Sequence, residues 1–256
     1  MFKPQTCYLL LCLFRLLPGA EAQHLQFDHG AIIRGDTSEK KINLVFTGHE
    51  FADGSSHIIT TLKKNNVPAS FFFTGDFYRN SQFKGLIKQL IRHGHYLGAH
   101  ADKHLLYCSW EKRDSLLVTR QEFLTDLDNN YREMARFGIE KSKAKWFMPP
   151  YEWYNDAISQ WTLDYGATLI NFSPGTSSNA DYTYPQMGER YLDSQTIFQR
   201  IMNYEQAHTL NGFILLIHIG TDPRRKDKFY YRLDELINTL TAKGYTFVSL
   251  ENLLAN

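Results

Sequence analysis

The chain has 256 residues, with 28 lysines and arginines against 27 aspartates and glutamates, a formal net charge of +1 and 43% hydrophobic residues. A balance this close to zero excludes the strongly basic surface that nucleic acid or an anionic membrane demands. No low-complexity tract, long charge run or fixed-period repeat divides the sequence, so a single globular domain is expected.

The first 22 residues do not read as part of that domain. Met1-Phe2-Lys3 is a short basic start, Tyr8 to Leu17 is largely apolar, Pro18-Gly19 breaks the run, and Ala20-Glu21-Ala22 offers small residues for cleavage. This is the pattern of a secretory signal peptide over 1–22, followed by a domain over 23–256. The apolar run is short for a bilayer and Arg15 interrupts it, so no stable membrane insertion is expected after cleavage. The expected location is the periplasm or outside the cell. Cys7 and Cys12 fall in the leader and only Cys108 remains, so no internal disulfide supports the fold and the core must hold it.

From the leader onward, residues 24–41 read as an irregular arm. Strands are predicted at 42–46, 69–74, 96–97, 146–148, 167–171, 213–217 and 245–248. Helices are predicted at 58–66, 83–93, 116–137, 156–165, 194–208 and 232–243, with Gly94, Gly138, Gly166 and Gly244 as stops. The near-continuous apolar run Ala69-Ser70-Phe71-Phe72-Phe73 suits a strand buried on both faces. Strand and helix alternate about seven times, which implies an α/β fold of parallel strands, either an open sheet or a barrel. No Gly-rich dinucleotide loop follows the first strand, which weakens the nucleotide-binding version of the open sheet. The polar segment from Ser173 to Asp193 is long for a loop in a compact domain, and such loops are usually functional.

In parallel α/β folds the active site gathers at the carboxyl ends of the strands. His49, Glu50, His100, His104, Asn171 and His218 all fall at such ends. His100 and His104 are four residues apart, which on a helical turn would bring both imidazoles to one face and onto one metal ion.

These residues carry a resemblance. His100-Ala101-Asp102-Lys103-His104, Leu216-Ile217-His218, Met148-Pro149-Pro150-Tyr151 and the ending Gly244-Tyr245-Thr246-Phe247-Val248-Ser249-Leu250 occur in the order and spacing of the polysaccharide deacetylases, the NodB-homology fold of carbohydrate esterase family 4. The resemblance covers residues 42–254. It implies a deformed (β/α) barrel of about seven parallel strands, a divalent metal that is usually zinc, and removal of N- or O-linked acetyl groups from an oligo- or polysaccharide. His100 and His104 take the places of the metal-binding histidines, and His218 that of the general acid.

The departures are as informative. The family's first strand ends in Thr-Phe-Asp-Asp-Gly, whose first Asp is the catalytic base and whose second is a metal ligand; here the place reads Val45-Phe46-Thr47-Gly48-His49. The arginine that orients the base is Met148, and a later Asp is Asn171. Two readings follow. In one, the 47–53 loop supplies replacements, with His49 completing the metal site and Glu50 acting as base, Asp53 being a further candidate ligand; Glu152 is an alternative base. A backbone N–H near Tyr151 would hold the oxyanion. In the other, the site is degenerate and binds carbohydrate without hydrolysis. Tyr151, Trp153 and Asn171 are the expected substrate contacts, Trp153 foremost, with Tyr154, Tyr182 and Tyr184 as further aromatic faces for a sugar ring. Asp222 to Lys226 reads as a solvated loop.

Overall fold

The computed structural model describes residues 25–255; the expected leader lies outside them. A sheet of mostly parallel strands curls into a barrel-like shell with helices outside. In chain order the elements are β1 (Gln26–Asp28), β2 (Ala31–Arg34), β3 (Lys41–Gly48), α1 (Ser55–Lys64), β4 (Ala69–Phe73), α2 (Gly75–Arg79), α3 (Lys84–Arg92), β5 (Tyr96–Ala99), α4 (Arg120–Ala135), β6 (Trp146–Phe147), α5 (Asp156–Asp164), β7 (Thr168–Leu169), α6 (Ser194–His208), β8 (Phe213–His218), α7 (Leu233–Ala242), β9 (Thr246–Phe247) and α8 (Leu250–Leu254). The strand order is β1-β2-β8-β3-β4-β5-β6-β7, with β9 beside β3.

Residues alternate between the two faces of each strand, and this sorts the core into two parts. Leu44, Phe46, Phe71, Phe73, Leu215 and Ile217 face outward and pack beneath the helices, among them Ile58, Ile59 and Leu62 of α1. Val45, Phe72, Trp146, Met148, Ile214 and Leu216 face inward and fill the shell, where Leu250, Leu253 and Leu254 of α8 join them. Each such side chain contributes about 1.5–3 kcal/mol when fully buried. The same alternation carries Thr47 and His218, two residues beyond Val45 and Leu216, onto the inner face at the rim. They are register partners, and Gly48 pairs with Phe73, Phe73 with Ala99, and Ala99 with Phe147. The parallel strands therefore end together, and the loops that follow them meet.

The structure corrects the sequence reading in several places. The supposed arm at 24–41 is a hairpin: β1 and β2 pair antiparallel, and β2 lies antiparallel against β8. Arg34 fixes it, donating to the carbonyls of Asn211 (2.7 Å) and Thr209 (3.1 Å). At the far edge, Ile170 bridges Ile32 and the Asn171 N–H donates to the Ile32 carbonyl at 2.9 Å, so the hairpin closes the curl. The helix expected from 116 begins at 120, because Thr119 and Glu122 form a capping box (Glu122 N–H to Thr119 Oγ1, 3.2 Å; Thr119 N–H to the Glu122 carboxylate, 2.7 Å). The chain from 108 to 116 instead doubles back, with Cys108 bridging Leu116. Nor is the Asp222–Lys226 segment wholly solvated: Arg225 is fully buried and donates to the carbonyls of Thr183 (2.6 Å) and Leu192 (2.9 Å), tying the long 173–193 segment to the rim.

Candidate active site

A cleft of about 870 Å³ opens at this rim, lined by Thr47, His49, Glu50, His100, His104, Trp110, Tyr151, Glu152, Tyr182, Tyr184, Arg190 and His218, among others.

His100 follows β5 and is almost fully buried. Its backbone N–H donates to Asn130 Oδ1 on α4 (2.8 Å), and its Nδ1 donates to the Met148 carbonyl (2.8 Å). That second bond leaves Nε2 as the free imidazole nitrogen, the arrangement of a metal-binding histidine. The expected helical turn from His100 to His104 is absent. Ala101 and His104 are both in the left-handed region, at φ 67° and 55°, and the chain makes a loop. The loop's backbone groups are taken by neighbours instead: Gly75 and Asp76, at the start of α2, donate to the carbonyls of Ala101 (3.0 Å) and Asp102 (3.2 Å). The Lys103 N–H donates to Asp126 Oδ1 (3.0 Å), and Asp126 Oδ2 accepts from Tyr107 (2.7 Å). The buried Asp102 pairs with Arg79 at 2.7 Å.

This loop still brings the two rings together, with centroids 5.1 Å apart, and His49 joins them, stacked on His104 at 4.8 Å and 9°. His49 Nδ1 lies 3.0 Å from Thr74 Oγ1. Burial, reinforced by the neighbouring imidazoles, pushes His104 down to about 2; burial likewise takes His100 to about 3. Both are therefore neutral, the form that binds metal. Among the described residues no group of three or more His, Cys, Asp or Glu stands ready to hold an ion. Parallel stacked rings keep their in-plane lone pairs in separate planes, so a shared ion requires one ring to turn. The donors nonetheless suit zinc, for which imidazole is a good ligand, and the buried Thr47 Oγ1 at the same rim has no hydrogen-bond partner among the described residues.

His218 ends β8. Its Nδ1 donates to Asp181 Oδ1 at 2.6 Å and its backbone N–H to Asp181 Oδ2 at 2.9 Å. Burial opposes the imidazolium, but the Asp181 charge and hydrogen bond outweigh it and the pKa is raised. Asp181 sits in a helical turn, Ser178–Tyr182, and is itself buried. The sequence marked its segment as functional but not the residue.

The carboxylates are sorted by their surroundings. Glu50 lines the cleft from an exposed position. Asp53 is spent on structure, accepting from the Thr221 N–H, the Tyr230 hydroxyl and Lys228, each at 2.8 Å. Glu152 lies where burial drives its carboxyl up to about 7, with His218 opposing and Asp181 adding to the rise. Its backbone is left-handed (φ 52°), as is that of Tyr151 (φ 60°), an uncommon conformation for side-chain-bearing residues that clusters at functional sites.

Two of the expected substrate contacts are displaced. Asn171 is buried and does not line the cleft; its Nδ2 donates to the Glu152 carbonyl (2.9 Å) and its Oδ1 accepts from the Phe172 N–H (2.9 Å). It holds the backbone of Glu152. Trp153 also stands behind the lining, stacked on Trp110 at 5.2 Å, and Trp110 takes the cleft position. Tyr154 is buried, with its hydroxyl donating to the Asp28 carbonyl (3.2 Å). Tyr151 does face the cleft, its ring 4.4 Å from that of His104, and Tyr182 lies 5.6 Å from the His218 ring. Met148 is packed in the inner apolar core rather than at the cleft.

The polysaccharide deacetylase family model matches residues 34–170. The chain is 25% identical over 237 residues to the peptidoglycan-N-acetylmuramic acid deacetylase PdaA of Bacillus subtilis, covering 92% of this chain and 80% of that protein. It is 28% identical over 237 residues to an uncharacterised 30.6 kDa protein of Geobacillus stearothermophilus, covering 92% and 79%. The solved structure of PdaA, a family 4 carbohydrate esterase, superposes with a TM-score of 0.68 at 24% identity over 88% of this chain and 85% of that one. A carbohydrate esterase family 4 pseudoenzyme from Bacillus anthracis does so equally, with a TM-score of 0.68 at 20% identity over 89% and 69%. These likenesses establish the NodB-like fold, and with a family match running across more than half of its length, the chain belongs to the polysaccharide deacetylases, hydrolases of carbohydrate amide and ester bonds.

Proposed function

We propose that the chain is an exported, metal-dependent hydrolase that removes acetyl groups from a carbohydrate, with His100, His104 and His49 holding a divalent ion such as zinc. One observation carries this reading. Three imidazoles, a carboxyl raised to about 7 and a carboxylate-backed histidine all face a single cleft. An ion held there supplies Lewis acidity toward the acetyl carbonyl and makes water a better nucleophile near neutral pH. Glu152 takes the proton from the attacking water, because its pKa lies near the working pH of a general base. Glu50, the base expected from the sequence, is the weaker candidate on account of its exposure. His218, whose protonated form Asp181 favours, gives its proton to the departing amine or alcohol. The substrate class nearest to hand is the acetylated amino sugar of peptidoglycan, since PdaA and other relatives are named as deacetylases of its N-acetylmuramic acid or N-acetylglucosamine.

The test is zinc content and acetate release by the purified protein, wild type beside His104→Ala and Glu152→Gln. The expected outcome is about one equivalent of zinc in the wild type, lost with His104, and acetate release from acetylated glycan strands lost in both variants. Zinc binding or glycan binding without acetate release would favour a second reading, a carbohydrate-binding protein without hydrolysis. Its support is Thr47 and Gly48, standing where the family carries two carboxylates. A Cβ on Gly48 would meet Ile219 at 2.8 Å, Phe73 at 2.9 Å and Phe77 at 3.0 Å, so that position has no room for one.

A further inference from the structure

Trp110 was singled out by no motif, yet the structure builds a support beneath it. Its ring lies 5.2 Å from Trp153 at an interplanar angle of 27°, and the Arg113 guanidinium lies 4.5 Å from the centre of the Trp153 ring. Trp153 is fixed by its indole N–H, which donates to the Ser109 carbonyl (3.2 Å). Arg113 is fixed in turn by the Tyr154 carbonyl (2.6 Å) and Asp28 (3.0 Å). The turn that carries Trp110 is braced as well: Ser109 N–H donates to the Ser115 carbonyl (2.9 Å), and Ser109 Oγ accepts from the N–H groups of Glu111 (3.1 Å) and Lys112 (3.3 Å). For all this support Trp110 remains 57% exposed on the cleft. A large aromatic ring held rigidly and left to water is an uneconomical arrangement for a folded chain, but a good one for a ligand with a flat apolar face. Tyr151 is interposed between the ring and the histidines, its centroid 4.4 Å from His104 and 5.8 Å from Trp110.

We propose that Trp110 is the stacking platform for a sugar unit adjoining the acetylated one. The proposal rests on the carbohydrate reading given above, though not on turnover. The experiment measures binding by calorimetry in a Glu152→Gln background, so that hydrolysis does not interfere. The probes are the β-1,4-linked pentamer of N-acetylglucosamine and acetylated xylopentaose. Trp110→Ala is expected to weaken binding of at least one pentamer by roughly 3- to 10-fold, the range of an aromatic stacking contact. Trp110→Phe is expected to recover most of that loss, and the wild-type tryptophan fluorescence change on adding sugar is expected to shrink in Trp110→Ala. Unchanged pentamer affinity in Trp110→Ala, a Phe variant as weak as the Ala variant, or no binding of either pentamer overturns the proposal. Acetate release, measured separately on the unsubstituted protein, keeps the two readings apart. Trp110-dependent binding without acetate release retains the platform and removes the deacetylase, whereas acetate release with Trp110-indifferent binding does the reverse.

Discussion

Glu152 and His218 are both shifted upward, for opposite reasons. Burial makes the carboxylate costly, whereas a buried carboxylate partner makes the imidazolium favourable despite burial. The consequences for pH follow from the signs. A base must be unprotonated, so kcat/KM should climb as pH rises through about 7; an acid must be protonated, so it should fall beyond the raised His218 pKa. Asp181→Asn removes a charge that lifts both groups, and both limbs of the pH profile should move toward acid. Limbs that stay in place would remove these residues from the chemistry. Linkage gives a second check. A carboxyl whose native pKa is raised lends stability below the ordinary glutamate value and loses it as pH rises toward about 7. Glu152→Gln should therefore melt at a higher temperature than wild type at pH 8, and the advantage should vanish at pH 4. That His100, His104 and His218 line one cleft was legible from their motifs. Asp181 was not, because its partner is 37 residues away and only the folded 173–193 segment joins them.

Among the elements, the loop after β5 shows how far spacing can mislead. Two histidines four apart suggest a helical turn, but α2 and α4 claim the backbone groups such a turn needs, and two left-handed residues bring the rings together by another route. Asn130 is the main brace from α4: it accepts from the His100 N–H and donates to the Phe73 carbonyl at 3.2 Å. Asn130→Ala leaves the His100 N–H and the Phe73 carbonyl with only their mutual hydrogen bond of 3.2 Å and should cost about 0.5–1.5 kcal/mol in denaturant unfolding. On the proposed metal site, it should also weaken zinc retention, which a loss of stability alone would not do at temperatures well below melting. At the end of β3, Gly48→Ala should cost about 1–3 kcal/mol through overpacking against Ile219, Phe73 and Phe77. The start of α4, by contrast, was readable: Thr119 and Glu122 spell a capping box, but the apolar spacing of Leu116, Leu117 and Val118 drew the helix too early.

For the whole molecule, strand–helix alternation gave the parallel architecture, because each crossover must return the chain to the same end of the sheet. What it did not reveal was the closure, since β1 and β2 have only three and four residues and no long periodic pattern. Removing residues 25–34 exposes the edge of β8 and frees the far edge at Ile170. It should lower the melting temperature by about 10 °C or more, at roughly 2–4 °C per kcal/mol for a chain of this size, and broaden the elution profile through edge-to-edge association. The inner packing of Met148 bears on a different matter, the routes open to sequence change. An arginine at 148 would enter an apolar cluster with Val45, Phe72 and Trp146 and, without an aspartate at 47, would be an unpaired buried charge costing several kcal/mol. An aspartate at 47 without that arginine lacks the cation that orients it. Each half of the family's usual pair is thus disfavoured until the other is present. Moving from one arrangement to the other therefore calls for both substitutions at once.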